Sequence, residues 1–174
     1  MNLGVSNLLH IISASSMLDY GQMVNVYRES LLQEGREKYP NLDQNLQQLE
    51  VEQDFYLFLK SFLKQSDSFC AVWITDYGYV SALRIEPYRD GLLVEGLETH
   101  PNFRNHGYAK RLLQATLDYL NDRGIYKIYS HIHPQNISSV KVHLSSGFIC
   151  VSDCAAYVDG SVDNHSCTYL YCVQ

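Results

Sequence analysis

Between Leu92 and His133 the apolar spacing changes type twice. Leu92 to Thr99 alternates with a period of two. Ala109, Leu112, Leu113, Thr116, Leu117 and Leu120 then recur at helical spacing, and Ile125 to His133 is extended again. A strand, a helix and a strand in that order form a β-α-β unit whose strands are expected to lie parallel, with a right-handed crossover. Gly124 stands where a C′ glycine would stop the helix. The rest of the chain must be built around this unit.

Ahead of it, Leu8 to Ser13 reads as a strand. Met23, Tyr27 and Leu31 mark one face of a helix that ends before Pro40. Asn41 to Lys64 repeats the helical period through Leu42, Leu46, Leu49, Phe55, Leu59 and Phe62, with a break expected near Val51. Phe69 to Thr75 and Tyr79 to Glu86 flank Asp76-Tyr77-Gly78 as an antiparallel hairpin, and Asp90-Gly91 makes the next turn. Past the unit come a short helix from Asn136 to Ser146, closed by Gly147, and strands Phe148 to Val158 and Ser166 to Val173 around Asp159-Gly160. The expected fold is α/β: a mixed, mostly antiparallel sheet of about seven strands, four helices and a central parallel β-α-β splay.

Composition narrows the function classes. The 174 residues fit one domain, and 46% hydrophobic against 18% charged residues is a globular balance. Thirteen Lys and Arg against nineteen Asp and Glu give a formal charge of −6, so a fold-wide basic footprint for nucleic acid is not expected. No apolar run approaches the length of a membrane span. The N-terminal apolar stretch has no preceding Lys or Arg and is interrupted by His10, unlike a signal peptide. Cys70, Cys150, Cys154, Cys167 and Cys172 form no CxxC pair and are odd in number, which reads as small buried thiols in a reducing, cytoplasmic setting.

The chemistry concentrates where the long helix begins. Arg104, Asn105, His106, Gly107, Tyr108 and Ala109 stand at its start, followed by Lys110 and Arg111. A helix start offers unpaired N–H groups and the positive end of the dipole to phosphate oxygens, and Gly107 permits close approach. A solvated helix start with Gly as loop punctuation reads equally well from these residues alone. The spacing is neither Rossmann nor P-loop.

Arg-x-x-Gly-x-Ala over Arg104 to Ala109, with Pro101 three residues before the Arg and a strand before that, resembles motif A of the GCN5-related N-acetyltransferase (GNAT) superfamily. A second stretch agrees: Ile132, Asn136, Ser139, Val140, Val142, His143, Leu144 and Gly147-Phe148 resemble motif B, with Asn136 eleven residues before Gly147. The resemblance covers Phe69 to Phe148. It implies one acetyltransferase domain over 1–174: an N-terminal strand and substrate-side helices over 1–65, a cofactor-binding core over 69–148, and C-terminal strands over 149–174.

By this resemblance, acetyl-CoA is the cosubstrate and an amine the acceptor, with no metal, nucleic acid or membrane partner. The amine attacks the thioester directly, and the five cysteines, without a paired base, offer no covalent route. The backbone at Leu97, Glu98 and Thr99 would meet the pantetheine arm. Arg104 and the amides of Asn105, His106, Gly107, Tyr108, Ala109 and Lys110 would hold the pyrophosphate, and Asn136 the cofactor's amide region. An N–H near Leu97 would steady the developing oxyanion. A homodimer joined through the last strands is left open.

Proton handling falls to Glu95 and His143. An amine must lose a proton to react, and Glu95 matches the Glu of Glu-Asp-Leu-Tyr-Val in polyamine-type relatives, although Gly96 replaces the Asp. Glu98 is the second candidate base and His100 the third. Three residues apart, Glu95 and Glu98 would face opposite ways in a regular strand. His143 occupies the place of a Tyr that serves as general acid toward the leaving thiolate. His131 and His133 share a strand face, but His-x-His alone is a weak metal signal. Tyr20, Tyr27, Phe55 and Tyr56 are candidates to line the acceptor pocket, and Asp19, Glu29, Glu34 and Glu52 to draw a small cationic amine. The alternative from another class is a non-catalytic acyl-CoA-binding regulatory module, which the departures at Gly96 and His143 allow.

Overall fold

The structure is a computed structural model that describes residues 8–157 and 159–173, so residues 1–7, 158 and 174 of the expected domain lie outside it. Nine strands are described: β1 (Leu8–Ile12), β2 (Phe69–Thr75), β3 (Gly78–Tyr88), β4 (Gly91–Thr99), β5 (Lys127–Ile132), β6 (Ile149–Ser152), β7 (Ala155–Ala156), β8 (Val162–Asp163) and β9 (Cys167–Cys172). The helices are α1 (Tyr20–Val26), α2 (Arg28–Lys38), α3 (Gln44–Phe62), α4 (Tyr108–Asn121) and α5 (Ile137–Ser145). Seven strands form one sheet in the order β1-β2-β3-β4-β5-β9-β6, antiparallel except at β4–β5.

The period-two alternation places the two cores. Cys70, Val72 and Ala82 point to one face, where Met23, Val26, Leu31, Val51, Phe55 and Leu59 of α1–α3 cover them. Ala71, Leu83, Ile85, Leu92 and Val94 point to the other, beneath Leu112, Leu113, Leu117 and Leu120 of α4. Burying such side chains stabilises the domain by roughly 1.5–3 kcal/mol each.

The helical break expected near Val51 lies elsewhere. α3 runs unbroken from its Asp43 cap, whose side chain accepts from the N–H groups of Asn45 and Leu46, and Val51 is buried within it. The break comes at Tyr27 instead, which takes φ −89° and ψ 8° between α1 and α2. The segment expected as one strand from Phe148 to Val158 is two short pieces. β6 pairs with β9, while β7 pairs with β8 as a separate hairpin around Asp159-Gly160. Val158 lies outside the described residues. Of the five free thiols only Cys70 is buried. Cys150 lies on the edge strand β6 and Cys172 at the end of β9, both exposed.

Candidate active site

β4 and β5 are paired only through Leu92–Ile128, Leu93–Tyr129 and Val94–Ser130. Beyond that rung they part, and the gap opens into a cavity of about 630 Å³ between the sheet, the start of α4 and the start of α5. Leu97, Glu98 and Thr99 line it from β4; Arg104, Asn105, Gly107, Tyr108, Ala109 and Lys110 from the α4 entry; and Asn136 and His143 from the other side. Glu95 and His131 flank the split. One expected contributor turns away: the His106 ring bends back on its own loop, its Nδ1 2.7 Å from the Arg104 carbonyl, and does not line the cavity.

The α4 start is open. Gly107 takes the left-handed conformation (φ +77°), and no side chain caps the helix. The Arg111 N–H closes the first turn on the Gly107 carbonyl at 3.1 Å, so the N–H groups of Tyr108, Ala109 and Lys110 point out unpaired. A Cβ on Gly107 would meet no atom within 4 Å: the space above the turn is clear. That clear, dipole-positive cradle fits the pyrophosphate of acetyl-CoA. Arg104 has a second task, since its Nη1 is 2.5 Å from Glu29 Oε2 on α2 and its Nε donates to the Thr99 carbonyl at 3.4 Å. Asn136 caps α5, its Oδ1 accepting from the Ser139 N–H at 3.1 Å, which leaves its amide N–H groups for a ligand.

The expected facing of Glu95 and Glu98 is reversed. Ala82 pairs with Glu98 and Arg84 with Glu95, so between these rungs Leu83 alone on β3 opposes both Gly96 and Leu97 on β4. The extra residue makes a β-bulge with Gly96 at φ +57°, and the bulge re-phases the strand so that both carboxylates lie on the Arg84 side. Arg84 is 3.9 Å from Glu95, and its guanidinium lies over the Phe58 ring at 5.0 Å and the Tyr27 ring at 5.9 Å. A Cβ on Gly96 would stand 2.6 Å from Arg84 Nη1. Glu98 also accepts from the Ser30 hydroxyl. Burial raises the Glu98 pKa, against the lowering pull of Ser30, Arg104 and Arg84. Glu86 is a third carboxylate here, raised by burial and then by Glu95. Sequence reasoning missed Arg84 and Glu86; the signal was charge at alternate positions, after Ala82, in a strand that is otherwise apolar from Tyr79 to Ile85 apart from Ser81.

Tyr27 explains both the helical break and the bulge. It is 4% exposed, and its hydroxyl donates to the Gly96 carbonyl at 2.5 Å, so the elbow between α1 and α2 is pinned to the bulge. Tyr27→Phe is expected to cost about 1–2 kcal/mol, read from urea unfolding, because the Gly96 carbonyl loses its buried donor. Tyr20, Phe55 and Tyr56, expected beside the acceptor, form with Tyr27 one aromatic cluster, at ring separations of 5.1–6.3 Å. Three of the four acidic helix residues are engaged: Asp19 caps α1, Glu29 holds Arg104, and Glu52 accepts from Gln48, while no such bond is seen for Glu34 among the described residues.

His143 is 1% exposed. Its Nδ1 is 2.9 Å from the Ser139 carbonyl; a carbonyl only accepts, so Nδ1 carries the proton and Nε2 is a bare acceptor without a partner among the described residues. Burial pushes its pKa down, against the Ser139 bond, and burial likewise lowers His131. Both rings resist protonation in the fold, while unfolded histidine binds a proton near pH 6.5. The unfolded chain therefore binds more protons below that pH, and stability is expected to fall as pH drops through it. A urea midpoint lower at about pH 5.5 than at about pH 7.5 checks this. Among the described residues no group of three or more His, Cys, Asp or Glu is placed to hold a metal ion, and no helix is long and apolar enough to cross a membrane.

Known proteins resemble this chain in sequence and in fold. The chain is 31% identical over 94 residues to the aminoglycoside N(6')-acetyltransferase type 1 of Salmonella typhimurium, a match covering 52% of this chain and 62% of that protein. The match thus spans about six-tenths of the length of that curated relative. The fold resembles the PaiA N-acetyltransferase from Thermoplasma acidophilum, solved in complex with coenzyme A (TM-score 0.68, 13% identity, 95% of this chain and 99% of that one). It also resembles a spermidine N-acetyltransferase chimera from Vibrio cholerae and the human enzyme (TM-score 0.62, 14% identity, 95% of each chain). The model of the acetyltransferase (GNAT) family matches residues 28–148, and with the open α4 start and the β4–β5 split in place, the chain belongs to that family.

Proposed function

We propose that this chain transfers the acetyl group of acetyl-CoA directly to a primary amine of a small cationic molecule. The observation that carries the reading is the single cavity that joins the uncapped α4 start to a carboxylate-bearing face across the β4–β5 split. Acetyl-CoA supplies an activated acyl group. The N–H groups of Asn105 to Lys110 hold its pyrophosphate, the freed edge of β4 at Leu97 to Thr99 receives the pantetheine arm, and Asn136 donates to its amide region. An N–H near Leu97 faces the charge that develops on the acyl oxygen.

Glu86, Glu95 and Glu98 share one face with Arg84, and that acidic excess supports a cationic acceptor. The relatives named for aminoglycosides and spermidine support the same class. His143 offers a buried hydrogen-bond acceptor at Nε2 in place of the Tyr that serves as general acid, its Nδ1 bonded to the Ser139 carbonyl and its pKa lowered by burial. The free thiols suit a cytoplasmic setting, and the exposed Ile149 and Val151 on the edge strand β6 are where a second copy would pair.

Calorimetric titration with acetyl-CoA, followed by free-thiol release against a panel of amines, tests the reading. Binding with release for one amine class is the expected result. Binding without release across polyamines, aminoglycosides and peptide amines would favour the regulatory module, and no binding would overturn the cofactor assignment.

A further inference from the structure

The fold separates the two histidines of the His-x-His pair. His133 lies on an exposed turn, where its Nδ1 accepts from the Gln135 N–H at 3.2 Å. His131 lines the cavity. It follows Ser130, the last β5 residue paired with β4, just as Glu95 follows that residue's partner, Val94. His131 and Glu95 are therefore the first residues past the split, on the face that carries Leu93 and Tyr129.

The imidazole is held by aromatic edges. Tyr88 meets it at 5.3 Å and 83°, and Tyr157 at 5.0 Å and 81°. The Tyr88 hydroxyl donates to the Ala156 carbonyl, so the same tyrosine anchors the hairpin that carries Tyr157. Both ring nitrogens of His131 are buried, and neither has a partner among the described residues. An unpaired buried donor or acceptor is costly to a fold. His131 thus lines the cavity level with Glu95, and the fold leaves its buried ring nitrogens to be paired by a group that enters there.

We propose that His131 is the proton acceptor for the incoming amine, a role that rests on the acetyl-transfer reading above. The amine lone pair forms the new C–N bond as the C=O π pair moves onto oxygen. The nitrogen, made acidic by that bond, gives its proton to the lone pair of the imidazole. The oxygen pair re-forms C=O, the C–S bond breaks, and its electron pair leaves on sulfur. The imidazolium then passes its proton to the thiolate or to solvent. An amine and a thioester become an amide and a thiol, with nothing oxidised or reduced. The reacting nitrogen enters as the neutral amine, its ammonium proton left to solvent, and Glu95 on this account attracts and orients the cationic molecule rather than taking a proton.

The groups around the ring are Tyr88 and Arg89 from β3 and its turn, Tyr157 just after β7 and Asp163 from β8, with Glu95 of β4 level with His131 across the split. Burial and then Arg89 lower the His131 pKa, and Asp163 raises it. The ring is neutral at pH 7 with a lone pair to offer, and an acid limb in the rate would fall below the ordinary histidine value.

His131→Gln is expected to bind acetyl-CoA as the native chain does, to lose about 100-fold in kcat, and to lose the acid limb of kcat/KM, while His143→Gln keeps that limb. In His131→Ala, added imidazole should restore part of the rate. For the native chain, the His131 pKa followed by NMR should coincide with the limb, a comparison that needs no variant to fold. A native chain that turns over beside a His131→Gln variant of unchanged rate and pH profile would overturn the assignment alone. A native chain that binds acetyl-CoA and acetylates no amine would overturn the transfer reading, and this one with it.

Discussion

Gly107→Val is expected to weaken acetyl-CoA binding about 100-fold while lowering folding stability by only about 1–2 kcal/mol. The two effects have separate causes. Inside the protein a Cβ at this position meets nothing within 4 Å, so the stability cost is that of holding a branched residue at φ +77°. The clear space is the cradle above the N–H groups of Tyr108, Ala109 and Lys110, and the added methyls would stand between those donors and a pyrophosphate. Losing one or two charge-assisted hydrogen bonds, at about 1.5–3 kcal/mol each, corresponds to roughly that loss of affinity. Calorimetry and urea unfolding on the same preparation check both halves. An unchanged Kd would show that the α4 start does not hold the cofactor.

Gly91→Ala should produce the largest loss of stability from a single methyl, about 3 kcal/mol, seen as a fall in Tm of about 10 °C. Here backbone strain is not the cause. The new Cβ would stand 2.2 Å from the carbonyl oxygen of Lys127 and 2.9 Å from its Cβ, so β4 and β5 cannot keep their approach. The three parallel rungs begin at the next residue, and the split that admits a ligand begins where they end. Gly160→Ala is the control: at φ +86° with nothing within 4 Å, it should cost only about 1–2 kcal/mol. Equal losses for the two variants would mean that the strand contact is not limiting.

Both glycines were legible as turn or loop residues, but only one for the reason that matters. Asp90-Gly91 reads as a turn, whereas the residue that demands glycine there is Lys127, a long-range neighbour that no local pattern reveals. The bulge has the same origin. Gly96 reads as a departure from a sequence motif, and its consequence for the facing of Glu95 and Glu98 exists only once β4 is set against Ala82 and Arg84 of β3. Tyr27 fits an unbroken period with Met23 and Leu31, so apolar spacing cannot show that its hydroxyl reaches Gly96 and its backbone bends between helices. The β-α-β unit, the short helix that starts near Asn136 and the α4 entry were legible because their signals are local: period and glycine stand within a few positions of one another. His131 was obscured by its neighbour, since side-chain pairing says nothing about which of two histidines faces a cavity.

The open α4 start has a consequence for mutational tolerance. A main-chain N–H is the same chemical group whichever side chain follows it, so a grip made by the amides of Tyr108, Ala109 and Lys110 is insensitive to most replacements at those positions. Asn105, at φ +63°, is constrained in a different way, toward the few residue types that accept a left-handed backbone. A saturation scan across 105–110 should therefore read as a sawtooth, nearly flat where only side chains change and steep at Gly107 and Asn105, where backbone shape is at stake. The site would persist in descendants whose loop shares little with this one letter by letter.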